Sequence, residues 1–177
     1  RRGDTATRNK QGRRKVVRPP VLIVCPKSVL DVWASETAKC APDVRVLVIR
    51  NKEQANVDDI LANYDMVVIN YAQLRVCGEQ INAIKWLTVI LDEGQQIKNP
   101  DSKAAKAARE ITAYNRLVLS GTPIENRLLD MWSLMAFAMP GVLGSRAYVK
   151  KRFDKREAAA ARDAKREMDR HLKERNR

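Results

Sequence analysis

WLTVILDEGQ, residues 86–95, is a run of six strand-forming residues, five of them apolar, that stops abruptly on two adjacent carboxylates and a glycine. A short run without polar alternation reads as a strand buried on both faces, as in a parallel sheet covered by helices. The same character recurs in VLIVC (21–25), VRVLVI (44–49), MVVIN (66–70) and RLVLS (116–120). Helical stretches lie between them. Ser28 can cap a helix whose inward face is Leu30, Trp33, Ala34 and Ala38. Residues 53–62, 102–112 and 127–138 supply three more, with Pro123 closing the strand before the last, and Trp132 is expected in the core on the buried face of its helix. Alternating strands and helices with short links predict an α/β fold: an open, mostly parallel sheet with helices on both faces.

The rest of the chain sets limits on this picture. Its 177 residues suit one ordinary domain, and 45% hydrophobic content supports a real core. No apolar run is long enough for a membrane helix. The net charge of +13 is concentrated at the ends: residues 1–19 carry +7, residues 150–177 carry +6, and the middle is neutral. Two basic ends on a neutral body predict contact with a polyanion, or else solvated flanks. The expected division is a basic flexible arm over 1–19, a lobe over 20–149 and a basic helical extension over 150–177. In that extension Ala161, Ala164, Met168 and Leu172 make one thin apolar stripe. Cys25, Cys40 and Cys77 form no C-x-x-C pair, and His171 is the single histidine, so a zinc site is not expected and reduced, buried thiols are.

In a parallel sheet, ligands gather at the carboxyl ends of the strands. Those ends read Pro26-Lys27-Ser28, Asn70-Tyr71, Asp92-Glu93-Gly94-Gln95 and Ser120-Gly121-Thr122-Pro123. An aspartate at such an end can hold Mg²⁺ through its water shell, and a neighbouring glutamate can orient the water that attacks a γ-phosphate. An acidic pair there can equally be a helix cap. The hydroxyls of Ser120 and Thr122 flanking Gly121 suit a turn that senses phosphate.

PVLIVCPKSVLDVW, VVINYAQLR, LDEGQQIKNP and LSGTPIENRLLDMWSL, in that order over residues 20–134, resemble the first RecA-like lobe of the Swi/Snf-like ATPases, the DNA-translocating remodellers of helicase superfamily 2. The resemblance implies roles. Lys27 and Ser28 would touch the DNA backbone, as would Asn70, Tyr71 and Arg75, and Lys98 would lie in a loop near DNA. Asp92 and Glu93 would be the catalytic pair, with Asp92 binding magnesium through water only when nucleotide is present. Gln95, Ser120, Gly121 and Thr122 would couple nucleotide to lobe movement. The family often reads D-E-A-H where this chain has D-E-G-Q, which leaves the role of Gln95 less defined.

No glycine begins G-x-x-x-x-G-K-[ST], so the phosphate-cradling loop that precedes these motifs in the family is not found in this sequence. The expectation is a fragment of a larger motor that uses Mg²⁺ and ATP, binds double-stranded DNA and acts on DNA-bound proteins, in a nucleoid or a nucleus. By itself the chain is expected to be inactive. In related ATPases the strand that ends in the Ser120-Gly121-Thr122 motif lies beside the strand leading to the phosphate loop, so RLVLS would leave an unpaired edge open to self-association. Two other readings stand beside this one: a non-catalytic interaction module built on an ATPase lobe, and an RNA helicase of the same superfamily.

Overall fold

The computed structural model describes residues 6–8, 14–16, 18–121 and 128–152. Thr122, and the helix expected over 154–175, lie outside the described residues. Strands β3 (Val21–Cys25), β4 (Val46–Ile49), β5 (Met66–Asn70), β6 (Trp86–Leu91) and β7 (Ala113–Val118) form one sheet in the order β4-β5-β3-β6-β7. Every pairing in it is parallel. Within the region expected to be an arm, β1 (Ala6–Arg8) and β2 (Arg14–Val16) form a separate antiparallel pair, with Ala6 opposite Val16.

Burial falls off toward the β7 edge, so that β6, expected to be buried on both faces, leaves Leu87 exposed and Thr88 and Ile90 half-buried. β3 and β5, flanked by strands on either side, are buried over four of their five residues, whereas β7 at the edge is largely exposed. That explains why RLVLS misplaced the last strand: it begins three residues earlier, at Ala113, and Leu119 and Ser120 lie beyond its end. An edge strand does not need a continuous apolar run, so its composition marks only its inner half.

Helices cover both faces, unequally. One face carries α2 (Val57–Asn63), α3 (Tyr71–Val76), α4 (Gly78–Asn82), α5 (Lys103–Glu110) and α6 (Leu128–Ala138), which contribute Ile60, Leu74, Ile81, Ala105, Ala108 and Phe137 to the larger core. The other carries α1 (Leu30–Cys40), packed on Ile23, Cys25 and Val68 through Leu30 and Trp33. Residues 146–152 form a further helical segment, pinned by a two-oxygen contact of Arg146 with Asp101, at 2.7 and 2.8 Å. Among the described residues no helix is long and apolar enough to cross a membrane.

Several local expectations change. Ser28 does not cap α1: it sits in a 3₁₀ turn over Lys27–Val29, and Val29 at the N-cap offers no side-chain bond. Real caps are Asn56 on α2, Asn70 on α3 and Ser102 on α5, each accepting a backbone N–H from the first turn. On α1, Ala38 is exposed and Thr37 is half-buried in its place. Residues 53–62 hold a 3₁₀ turn with an Asn51 capping box followed by α2, not one helix. Trp132 is only half-buried, its Nε1 donating to the Gly144 carbonyl at 3.3 Å, and Ser133 and Phe137 take the interior positions on α6. Cys25 and Cys77 are buried, but Cys40 is exposed.

Burial pushes the Cys25 thiol up to about 12, with the Asp92 charge adding to it. It raises Cys77 as well, and it raises Tyr71, where the charges of Asp92, Cys25 and Glu93 add. Such groups keep their protons in the folded chain after the unfolded chain has lost them. Stability is then complete below the unfolded value of about 8.5 for a thiol and falls as pH rises, by up to about 1.4 kcal/mol per unit for each fully shifted group. The urea midpoint is therefore expected to drop between pH 8 and 10.5, and replacing both buried cysteines with alanine should flatten that drop. A midpoint constant across this range would contradict the assignment.

Candidate functional site: the carboxyl rim of the sheet

The site is assembled where β3, β5, β6 and β7 end. Asp92 extends the β6 ladder by donating its N–H to the Val24 carbonyl at 2.8 Å, which places it beside the end of β3. Its carboxylate is then held twice. Oδ2 accepts the indole N–H of Trp33 at 2.9 Å, and Oδ1 accepts the Glu93 backbone N–H, also at 2.9 Å. Its own carbonyl accepts the Tyr71 hydroxyl at 2.8 Å. The raised Tyr71 pKa keeps that hydroxyl protonated and donating.

Glu93 has φ 52° and ψ 53°, the left-handed conformation, and is the single non-glycine residue at positive φ among those described. For a residue with a Cβ this is costly, and such strain collects at functional turns. It turns the chain sharply into a 3₁₀ segment, Gly94–Ile97. Gly94 then donates its N–H to the Leu119 carbonyl at 2.8 Å and packs flat against β7. A Cβ built on Gly94 would lie 2.2 Å from Cγ1 of Val118. This is why the third position of D-E-G-Q is glycine here: β7 leaves no room for a methyl group. Gly94→Ala is expected to cost about 1–3 kcal/mol through forced repacking, read as a lower urea midpoint. An unchanged midpoint would mean that Val118 rotates away freely.

The pair is also tied to the next strand end. Gln95 donates from Nε2 to the Glu93 carboxylate, while its Oε1 accepts the Ser120 hydroxyl at 3.0 Å. Carboxylate, amide and hydroxyl thus form one chain of hydrogen bonds from the end of β6 to the residues after β7. Gly121 follows, exposed, in a bend.

The remaining candidates divide. Lys27 and Ser28 are exposed on the turn after β3, Arg75 is exposed in α3, and Lys98 is exposed after the 3₁₀ segment. Asn70 is buried, its Oδ1 accepting the N–H groups of Ala72 and Gln73 at 2.9 Å each, and Tyr71 is buried with its hydroxyl on Asp92. Both are engaged inside the lobe. Sequence reasoning missed Trp33, which it placed in the core by helical spacing. The available signal was chemical: a core-facing indole carries an N–H that needs a partner.

Among the described residues no group of three histidines, cysteines or acids could form a metal cage. Asp92 nonetheless suits magnesium, which takes one or two carboxylates and completes its shell with water and phosphate oxygens. Each of its oxygens receives one N–H and retains acceptor capacity on that rim. The residues fit an ion delivered with a phosphorylated ligand.

The SNF2-related domain description matches residues 4–175. The chain is 40% identical to the TATA-binding protein-associated factor mot1 of Schizosaccharomyces pombe over 156 residues, covering 87% of this chain and 8% of that protein. It is 37% identical to the putative ATP-dependent helicase/translocase YwqA of Bacillus subtilis, covering 80% of this chain and 15% of that protein. Among solved structures, the Sulfolobus solfataricus SWI2/SNF2 ATPase core in complex with dsDNA superimposes with a TM-score of 0.67 at 38% identity, covering 75% of this chain and 28% of that one. The chain therefore spans a small part of the length of each relative.

Proposed function

This chain belongs to the SNF2-related family, and from that premise we propose that it is part of the first ATPase lobe of a DNA-dependent motor that moves on duplex DNA and displaces or remodels proteins bound there. The observation that carries the reading is the bridge Glu93–Gln95–Ser120 beside a doubly held Asp92. It brings two strand ends together at the rim where a triphosphate would bind. Nothing in a structural turn calls for two adjacent carboxylates and a strained backbone at once.

In this mechanism Asp92 would hold magnesium through water, and the ion would supply charge neutralisation to a bound triphosphate. Glu93 orients and deprotonates the attacking water. Gln95, Ser120, Gly121 and Thr122 couple the state of the γ-phosphate to a second lobe. Lys27, Ser28, Arg75 and Lys98 contact backbone phosphates of duplex DNA. Asn70 and Tyr71 shape that surface from beneath, as cap and as tether. The basic ends, 1–19 and 150–177, flank the lobe of 20–149 and add sequence-independent attraction. The protein would work where DNA is kept, in a nucleoid or a nucleus.

Because no glycine of this chain begins a phosphate-cradling loop, the 177 residues alone are expected to hydrolyse ATP at background rate. The longer protein that contains them is expected to show turnover stimulated by duplex DNA, with DNA binding that weakens steeply as salt rises. DNA-independent turnover, or salt-insensitive binding, would contradict the reading. At the sheet edge, β7 exposes Tyr114 and Leu117 and pairs with β6 on one side. The chain alone is expected to self-associate through the other side; a strictly monomeric sedimentation profile at high concentration would count against that.

A further inference from the structure

Asp92 receives a hydrogen bond that α1 sends across to this rim: Trp33 Nε1 to Oδ2, 2.9 Å, between residues 59 apart in sequence. The indole is half-buried against the smaller core. Its ring packs with Ile23, Cys25, Leu30 and Val68, and its backbone carbonyl accepts the Thr37 hydroxyl at 2.7 Å. The other carboxylate oxygen is tied to the Glu93 N–H of the strained turn. Two donors from different elements therefore fix both the plane and the tilt of the carboxylate, as the outer partners of a metal-bearing side chain do. The helix that carries Trp33 begins directly after the Lys27–Val29 turn, in which Lys27 and Ser28 are exposed.

We propose that Trp33 is a positioning residue for the reaction: its indole N–H holds the Asp92 carboxylate in the orientation that a magnesium–phosphate ligand requires. The inference rests on the reading of Asp92 given above. The contribution of Trp33 passes through Oδ2 of Asp92.

The test uses Trp33→Phe, which keeps an aromatic ring in the packed pocket and deletes the N–H. In the DNA-stimulated full-length protein, W33F is expected to lower kcat about 10-fold to 100-fold and to raise the magnesium concentration needed for half-maximal rate. KM for ATP is expected to change less than about twofold, because the deleted N–H acts on the carboxylate that would hold the ion. A second readout needs no turnover. In the ¹⁵N-labelled 177-residue chain, the Trp33 indole resonance is expected to move on D92N, while those of Trp86 and Trp132 stay in place. Full turnover in W33F alongside a dead E93Q variant overturns the inference and leaves the motor intact. An indole resonance indifferent to D92N overturns it too, even if W33F were slow through poor folding. Absence of DNA-stimulated turnover in the wild type removes the motor reading and this inference with it.

Discussion

Replacing Glu93 with glutamine is expected to slow ATP turnover of the full-length protein by about 10²-fold to 10⁴-fold, the contribution of a positioned general base. The amide keeps the size of the carboxylate and can still meet the Gln95 side chain, so nucleotide and DNA binding should survive. Glu93→Gly tests the same residue from the other side. At φ 52° the glutamate sits in a conformation that costs about 1 kcal/mol or more for any residue with a Cβ. Glycine relieves that strain, against about 0.5–1 kcal/mol of extra chain entropy to be lost on folding. E93G is therefore expected to be as dead as E93Q yet to melt no earlier than the wild type. A residue that served only as a helix cap would behave in reverse, losing stability and sparing turnover. Both variants are read by steady-state hydrolysis and thermal unfolding.

Trp86→Ala is expected to have the largest effect on stability. Trp86 opens β6, is fully buried, and donates its indole N–H to the Ile81 carbonyl at 2.9 Å. It joins the start of β6 to the end of α4, and it heads the strand that ends on Asp92. Removing so large a buried ring costs about 3–5 kcal/mol in comparable cores, and the bond to the Ile81 carbonyl is lost with it, though that carbonyl still accepts the Ile84 N–H. Against a total of about 5–15 kcal/mol this is a major fraction, visible as a drop of about 10 °C or more in Tm. Trp132→Ala, by contrast, removes a half-buried ring with one hydrogen bond of 3.3 Å and should cost markedly less. Equal losses at the two positions would contradict the observed packing.

The sheet was legible where strands are central. VLIVC, MVVIN and WLTVIL coincide with β3, β5 and β6 residue for residue; in β3 and β5 burial on both faces enforces unbroken apolar composition, whereas β6 is buried at Trp86, Val89 and Leu91 and leaves Leu87 exposed. β7 was misplaced because an edge strand is not so constrained. α3 and α4, of six and five residues, are too short to show helical period and were not foreseen. The candidate site was legible as a set of strand ends, since parallel topology alone aligns them. Its internal wiring was not. The Trp33–Asp92 bond spans 59 positions, and the need for glycine at 94 depends on where Val118 of β7 comes to lie. Asn70 adds a local role the motif did not spell out: its Oδ1 caps α3 by accepting the N–H groups of Ala72 and Gln73.

The most direct measurement is a structure of the full-length protein with magnesium and a non-hydrolysable ATP analogue. The account predicts the Asp92 carboxylate one water away from the ion, Glu93 facing a water in line with the γ-phosphate, and Ser120 still joined to the pair through Gln95. A magnesium ion seated elsewhere, with the carboxylates of 92 and 93 turned away from the triphosphate, would contradict it.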